Sequence, residues 1–553
     1  MSHDASQHAS QEQHHLRCDL LIVGGGINGV GIARDAVGRG LSVVLCEKDD
    51  LAAHTSSSSS KLIHGGLRYL EYYEFALVRK ALIEREILMR IAPHIITPIR
   101  FVMPHVAGLR PRWLLRLALF LYDNLAPREL LPGTESIRFS KHETGAALNS
   151  SLTHGFMYSD AWVDDARLVV LNAIDAKERG AKILTHTECD SLEQKNGRWL
   201  ARLRRHVPHA SGESDEDNIL VDAAMVVNAT GSWVEQFQHR LLPAIASAPT
   251  ITAAKSSTAL PPIPPGTQKK LRLIKGSHIV VPRLFEHEHA YIFQHPDGRV
   301  IFASPFQGAF TLIGTTDSEF VGNLDEMAIS EVEVDYLCSL SNHYFAKQIS
   351  AKDVRWSYAG VRPLVDDGNQ DAKAITRDYH LQLVTEGAPI LHVFGGKITT
   401  YRRLAEDVLA LIAPVLACSE SSWTAHACLP GGDLAGMSPQ EQDGQCLAHF
   451  VQQCRERYSW LPDQLLQRFA RSYGTRIHRL LADCVDLESL GECILDDLYE
   501  QEVRYLITHE FAQTAQDILW RRSKLGLHMA ADAHIRLDAW IRSQIVSAGG
   551  SSP

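Results

Sequence analysis

Apolar residues fill the segment 19–23 (DLLIV) after Asp19 and the segment 41–46 (LSVVLC) apart from Ser42, and between them residues 27–38 carry a helical pattern. This order predicts strand, helix, strand, the opening of an α/β domain built on a parallel sheet. A helical period rich in Arg, Lys and Glu runs over 75–91, and a second, more apolar one over 113–125. Strand-like runs return at 181–185, 199–203 and 225–228, and a β-rich stretch covers 273–322. From about residue 433 onward Leu, Tyr and Trp recur on amphipathic faces, predicting a mostly helical end. The polar stretch 211–218 (SGESDEDN) predicts an exposed turn. Residues 243–270, with PPIPP at 261–265, predict a surface insertion of polyproline character. No repeat of fixed period is present.

Composition narrows the class. A chain of 553 residues predicts about three domains. With 45% hydrophobic and 22% charged residues it is neither disordered throughout nor a disulfide-stapled scaffold. Its net charge of −10 argues against a general nucleic-acid binder, which needs a basic field. Residues 1–17, which include His3, His8, His14 and His15, lack the apolar core of a signal peptide and the Arg-rich pattern of a transit peptide; a disordered tail is expected, with order beginning at Cys18. No pair among the ten cysteines forms C-x-x-C, so reduced thiols in the cytoplasm are expected and no metal site is. No apolar run is long enough for a transmembrane helix.

Gly24, Gly26 and Gly29 satisfy G-x-G-x-x-G between the first strand and its helix, where backbone N–H groups can approach a pyrophosphate. Glu47 ends the second strand, where a carboxylate can accept from ribose hydroxyls. This fingerprint alone does not choose between NAD and FAD. Two features favour FAD: an apolar strand ending in Ala229-Thr230-Gly231, and the lack of a second G-x-G-x-x-G for a separate NAD domain.

Longer motifs follow: SSSSSKLIHGGLRY at 56–69, YSDAWVDDAR at 158–167, KGSH at 275–278, IGTTD at 313–317, GVRP at 360–363, ITRD at 375–378 and FGGK at 394–397. Together they resemble the FAD-dependent, respiratory glycerol-3-phosphate dehydrogenases, especially the bacterial aerobic enzyme, over nearly the whole chain. The N-terminal histidines and the Pro-rich insertion depart from that pattern, and no counterpart is found for the calcium-binding loop of the mitochondrial relatives. The expected architecture is α/β. It comprises a discontinuous Rossmann-like FAD-binding domain (18–100, 155–240 and 351–415), an inserted β-rich substrate or cap domain (101–154 and 241–350), and a helical C-terminal domain (433–545). The resemblance implies oxidation of sn-glycerol 3-phosphate to dihydroxyacetone phosphate, with hydride transfer to FAD and electron delivery to a membrane quinone.

Such chemistry needs cations for a phosphate, a group to take the hydroxyl proton, and exclusion of water. The resemblance places Arg68, Tyr69, Arg377 and Lys397 at the substrate phosphate and flavin, and Arg362 nearest the reacting carbon. Arginine holds its proton, so Arg362 is expected to stabilise developing oxyanion charge rather than act as base. His278 is the first candidate for the base and His64 the second, since a base must titrate near neutrality. Ser59, Ser60, Gly231, Gly396, Thr399 and Thr400 are expected to contact the cofactor.

The run 110–125 (RPRWLLRLALFLYDNL) gathers Arg112, Arg116 and Asp123 on a narrow polar arc, with Trp113 and Tyr122 suited to a bilayer interface. It predicts either a helix lying on an anionic membrane surface or a buried core or dimer element. The expected location is the cytoplasm, peripherally at the inner face of the cell membrane, and the expected assembly a homodimer. Two rivals stand beside the quinone reading: an oxidase passing electrons to oxygen, and a non-catalytic FAD-binding subunit.

Overall fold

The computed structural model of the protein describes residues 14–106, 110–208, 214–241, 251–252, 271–295, 299–366 and 378–549. In strand β1 (His14–Val23), Leu20, Leu21 and Ile22 are all fully buried, as a strand covered on both faces requires. It pairs in parallel with β2 (Val43–Cys46) and with Ser214–Asn228, and helix α1 (Ile27–Gly38) makes the crossover. Ile390–Phe394 and Lys182–Leu184 extend this parallel core of a nine-stranded sheet.

Two elements of this sheet exceed their expected bounds. The strand β1 starts at His14, because His14 to Arg17 pair with Ile219 to Asp222, so the expected tail is already strand over its last residues. The exposed turn expected at 211–218 is strand from Ser214 onward, zipped antiparallel to Arg198–Pro208. Residues 1–13 and most of the Pro-rich stretch lie outside the described residues; within that stretch Ile251 and Thr252 pair with Leu383 and Gln382 at the sheet edge.

A ten-stranded sheet forms the second layer system. It takes its strands from two stretches of the chain, 62–163 and 271–365. Leu62–Ile63, nearly all of His154–Val163 and Trp356–Val365 fall within the expected nucleotide ranges 18–100, 155–240 and 351–415 but belong to this sheet, as does Ile96–Pro104, which straddles the expected boundary at 100. The reason is pairing. Leu271–Pro282 would expose a long unpaired edge, and Trp356–Val365 fills it from Val365 opposite Leu271 to Trp356 opposite Val280. Helices α2 (Phe75–Ile91) and α3 (Arg112–Asn124) pack near this sheet, with Leu82, Leu115, Leu119 and Tyr122 sharing a core with Phe101, Tyr158 and Ile292.

Residues 446–549 form a helical unit with its own core around Phe450, Leu466, Phe469, Tyr473 and Leu506. It is tied to the nucleotide domain by two buried ion-pair groups. Arg167, on helix α4 (Asp165–Glu178), pairs with Glu510, and Asp50 pairs with Arg521 and Arg522. A π-helical turn at Asp517–Arg522 brings those two adjacent arginines onto one carboxylate. Trp520 stacks on Trp356 of the ten-stranded sheet at 4.7 Å. All ten cysteines are free thiols. Among the described residues, no helix is long and apolar enough to cross a membrane.

Candidate active site

The glycine turn after β1 is locked by contact. An ideal Cβ on Gly24 would lie 2.5 Å from the Ala229 carbonyl oxygen, and one on Gly29 1.9 Å from that of Gly24. Only glycine therefore lets α1 start against this turn. Glu47 is buried; its carboxylate accepts from the Gly25 amide at 2.7 Å and the Asp49 amide at 3.0 Å. Burial pushes its carboxyl up from the usual range while the two amides pull it down.

Glu47 lines a cavity of about 280 Å³ with Gly24, Lys48, Thr230 and Trp233. Lys48 closes one side, ion-paired with Asp325 and lying over the Trp233 ring at 4.5 Å. Gly26, Thr55, Ser56 and Gly231 line this cavity and also a larger one of about 820 Å³, so the two form one bent channel. At Gly231, with φ +60°, nothing stands within 4 Å of an added Cβ, so the backbone faces open space. The glycine cradle, the acid at one end and the bent channel fit an FAD.

The larger cavity gathers Ser59, Ser60, His64, Arg68, Tyr69, Arg362, Gly396, Lys397 and Thr399 from both sheets and the loops between them. The Arg362 fork is aimed by two bonds, Nη1 to Asp317 Oδ1 at 2.8 Å and Nη2 to Thr315 Oγ1 at 3.1 Å. The Lys397 ammonium lies over the Tyr69 ring at 3.8 Å. With Arg110 and Arg299, which also line it, five cationic side chains share this chamber, a charge that suits an anionic phosphate. The His64 amide donates to Thr399 Oγ1 at 3.4 Å, and the His64 ring lies 6.4 Å from Phe302.

His278 is placed differently from the expectation that made it the first candidate base. It does not line either cavity. Its Nε2 bonds Ser60 Oγ at 2.9 Å, and its ring stacks on Tyr358 at 4.9 Å. Burial first, then the positive charges of Arg362 and Lys61, hold its pKa well below the ordinary histidine value. It is a neutral ring supporting Ser60 from behind. Gly24, Gly29 and Glu47 lie at the smaller cavity or beneath the glycine turn rather than in the chamber. Arg377 falls outside the described residues.

The sequence reading missed several groups. Lys61 and Asp165 form a buried ion pair at 2.7 Å beneath the serine run, and Asp165 also accepts from Ser59 Oγ at 2.7 Å. Asn28 Nδ2 donates to the Gly395 carbonyl at 3.1 Å, joining the helix α1 start to FGGK. Asp160 lines the chamber and is held by Arg85 and Tyr122. Asp160, Asp165 and Asp317 all lie in the quoted motifs, but their roles depend on partners far away in sequence.

A family model described as FAD dependent oxidoreductase matches residues 19–402, and one described as the C-terminal domain of alpha-glycerophosphate oxidase matches 422–542. The chain is 49% identical to a glycerol-3-phosphate dehydrogenase of Pseudomonas aeruginosa over 95% of each. It is 45% identical to a D-erythritol 1-phosphate dehydrogenase of Brucella abortus, covering 95% of this chain and 97% of that one. Its fold is similar to that of the glycerol-3-phosphate dehydrogenase of Bacillus halodurans solved with FAD. The TM-score is 0.69 at 24% identity, covering 97% of this chain and 95% of that one.

Proposed function

Because the chain belongs to the FAD-dependent oxidoreductase family, we propose that it oxidises sn-glycerol 3-phosphate to dihydroxyacetone phosphate. The observation that carries this is the meeting of Arg68, Arg362 and Lys397 with His64 in one chamber continuous with the dinucleotide channel. The glycine turn, Glu47, Ser59 and Ser60 would hold FAD, which would supply a two-electron acceptor for the carbinol hydride. Arg68 and Lys397 bind the phosphate dianion. The Arg362 fork, set by Asp317 and Thr315, orients the carbinol oxygen and stabilises its developing negative charge. His64 accepts the hydroxyl proton; His278 does not, because its ring nitrogen is spent on Ser60 and its burial opposes the charged form. The apolar wall of Phe101, Ile292 and Phe302 keeps water from the reacting carbon.

The electron acceptor in this reading is a membrane quinone. Support comes from α3, whose Trp113 and Phe120 are 69% and 61% exposed, and from Tyr73, 81% exposed, on the neighbouring turn. Arg110, Pro111 and Tyr72, beside this apolar surface, also line the chamber. An apolar face next to the chamber suits peripheral attachment at the inner face of a membrane that carries the acceptor. A second reading, oxygen as acceptor, is favoured by the oxidase description of the C-terminal match. Anaerobic mixing of the holoenzyme with glycerol 3-phosphate tests the substrate: rapid bleaching of the flavin is expected, and an unchanged spectrum refutes it. Reoxidation by a quinone analogue without peroxide distinguishes dehydrogenase from oxidase. D-erythritol 1-phosphate in the same experiment tests the activity named for the Brucella relative.

A further inference from the structure

His64 precedes two glycines in a turn pressed against helices α2 and α3. An ideal Cβ on Gly65 would fall 2.6 Å from Leu82 Cδ2 and 2.8 Å from Tyr122 Cε2, and Gly66 has φ +78°. Two adjacent glycines leave the backbone soft, so what fixes the imidazole must come from outside the turn. One hydrogen bond does this on the helix side: the Gly65 N–H donates to the Tyr122 hydroxyl at 2.8 Å. That hydroxyl donates to both oxygens of Asp160, at 2.7 and 2.9 Å, and Asp160 accepts from Arg85 Nη1 at 2.6 Å. Tyr122 and Asp160 are each 2% exposed and Arg85 3%, so the chain of bonds is shielded from water. It runs one way, from the Gly65 amide through the phenol to a carboxylate whose charge Arg85 balances. The other buried α3 residues, Leu115 and Leu119, are apolar and hold no backbone group of the turn.

We propose that Tyr122 is a positioning residue for the oxidation: its hydroxyl fixes the Gly65 peptide and thereby aims the His64 imidazole at the substrate hydroxyl. This rests on the reading of His64 as the base. Tyr122 itself does not line the chamber. Burial, and then the Asp160 charge, push its phenol well above the usual tyrosine range, so it keeps its proton. Without that bond the Gly65–Gly66 turn samples other peptide orientations, and the fraction of molecules with the base in reach falls. A misplacement of about 1 Å can cost about a hundredfold in rate.

The test compares Tyr122→Phe, Leu119→Val and His64→Gln holoenzymes in anaerobic flavin reduction by glycerol 3-phosphate. For Tyr122→Phe the limiting rate should fall by about 10- to 100-fold. The substrate concentration for half-maximal rate, the bound FAD and the visible spectrum should stay unchanged. Leu119→Val, which loosens the same helix without touching the bond, should keep the wild-type rate and melt earlier. A Tyr122→Phe rate within about twofold of wild type, with His64→Gln inactive, overturns the positioning role and leaves the base assignment standing. Equal losses in Tyr122→Phe and Leu119→Val overturn it in favour of helix packing. Full activity in His64→Gln removes the base assignment, and the positioning role with it. Hydrogen exchange in the wild-type holoenzyme needs no variant: slow exchange of the Gly65 amide is expected, and exchange at the rate of an open loop overturns the proposal.

Discussion

Replacing Arg362 by lysine should remove catalysis while leaving the cofactor in place. The guanidinium is held as a fork by Asp317 at 2.8 Å and Thr315 at 3.1 Å, with its side chain 26% exposed to the chamber. Gly276 on the neighbouring strand makes room for it, since a Cβ there would meet Arg362 Nη2 at 2.5 Å. Lysine keeps the positive charge, but its single nitrogen cannot hold Asp317 and Thr315 and also present an N–H to the carbinol oxygen. Asp317 will hold the ammonium away from the chamber. Loss of one well-aimed donor to developing oxyanion charge costs about 3–4 kcal/mol, on the order of 10²–10³ in rate. Stopped-flow bleaching of the flavin under anaerobic conditions at saturating glycerol 3-phosphate measures it, with FAD content read from the same absorbance. A limiting rate within about twofold of wild type refutes the argument. So does a change confined to the half-saturating concentration, because Arg362 would then only bind the ground state.

Gly29→Ala should yield colourless protein that FAD does not reconstitute, because the new Cβ would sit 1.9 Å from the Gly24 carbonyl oxygen; stoichiometric yellow enzyme refutes this. Asp50→Ala strands Arg522, which is fully buried, and should cost about 3–5 kcal/mol in chemical denaturation; a midpoint equal to wild type refutes the docking role. The pKa of His94 is pushed down to about 3 and that of His392 to about 4, burial being the main cause in both. The unfolded chain therefore binds more protons below about pH 6.5, so their contribution is complete above that pH and is lost as pH falls toward 4. Denaturation between pH 7 and 5 should show stability falling, with a shallower fall in His392→Asn; identical slopes count against it. Exchanging Arg112 and Arg116 for Glu should weaken flotation with anionic liposomes, each charge being worth about 1 kcal/mol near the surface, and spare reduction of a soluble dye. Unchanged flotation makes α3 a core or dimer element instead.

The first strand, helix and strand were legible because apolar periodicity and the glycine fingerprint are local signals; α1 and β2 follow them closely, whereas β1 runs back to His14 through pairing that the periodicity did not show. Sheet membership was not. Ile96–Pro104 and His154–Val163 pair with each other from Ile96 opposite Val163 to Pro104 opposite Gly155, a choice made by partners that no local pattern names. The same limit separates the two histidines. His278 and His64 both stand in glycine-containing motifs, and only the fold shows one ring against Tyr358 and the other in the chamber. On α3 the polar arc was readable, but both remaining faces are apolar. The buried set Leu115, Leu119 and Tyr122 differs from the exposed Trp113, Leu117 and Phe120 only through what packs below.

The C-terminal helices act on the site without entering it. Among the described residues, neither cavity is lined by any position beyond Thr399. Beside the Asp50 ion pairs and the Trp520–Trp356 stack, one of their ties runs through the stretch at 164–167. Asp164 caps α4 by accepting from the Arg167 amide, Asp165 holds Lys61 under the serine run, and Arg167 reaches the buried Glu510. Three jobs in one short segment explain why Asp165 and Arg167 are charged although they are buried. The charges of Asp165 and Arg167 are each neutralised by a partner from a distant part of the chain, Lys61 and Glu510, and an unpaired one there would be costly. Loss of Glu510 would therefore be felt first at Arg167, then at the α4 start, and only then at the Lys61–Asp165 pair beneath Ser59. A Glu510→Gln variant should therefore lose FAD on dilution sooner than wild type while its loaded form keeps the wild-type rate of flavin reduction; unchanged FAD retention refutes this coupling.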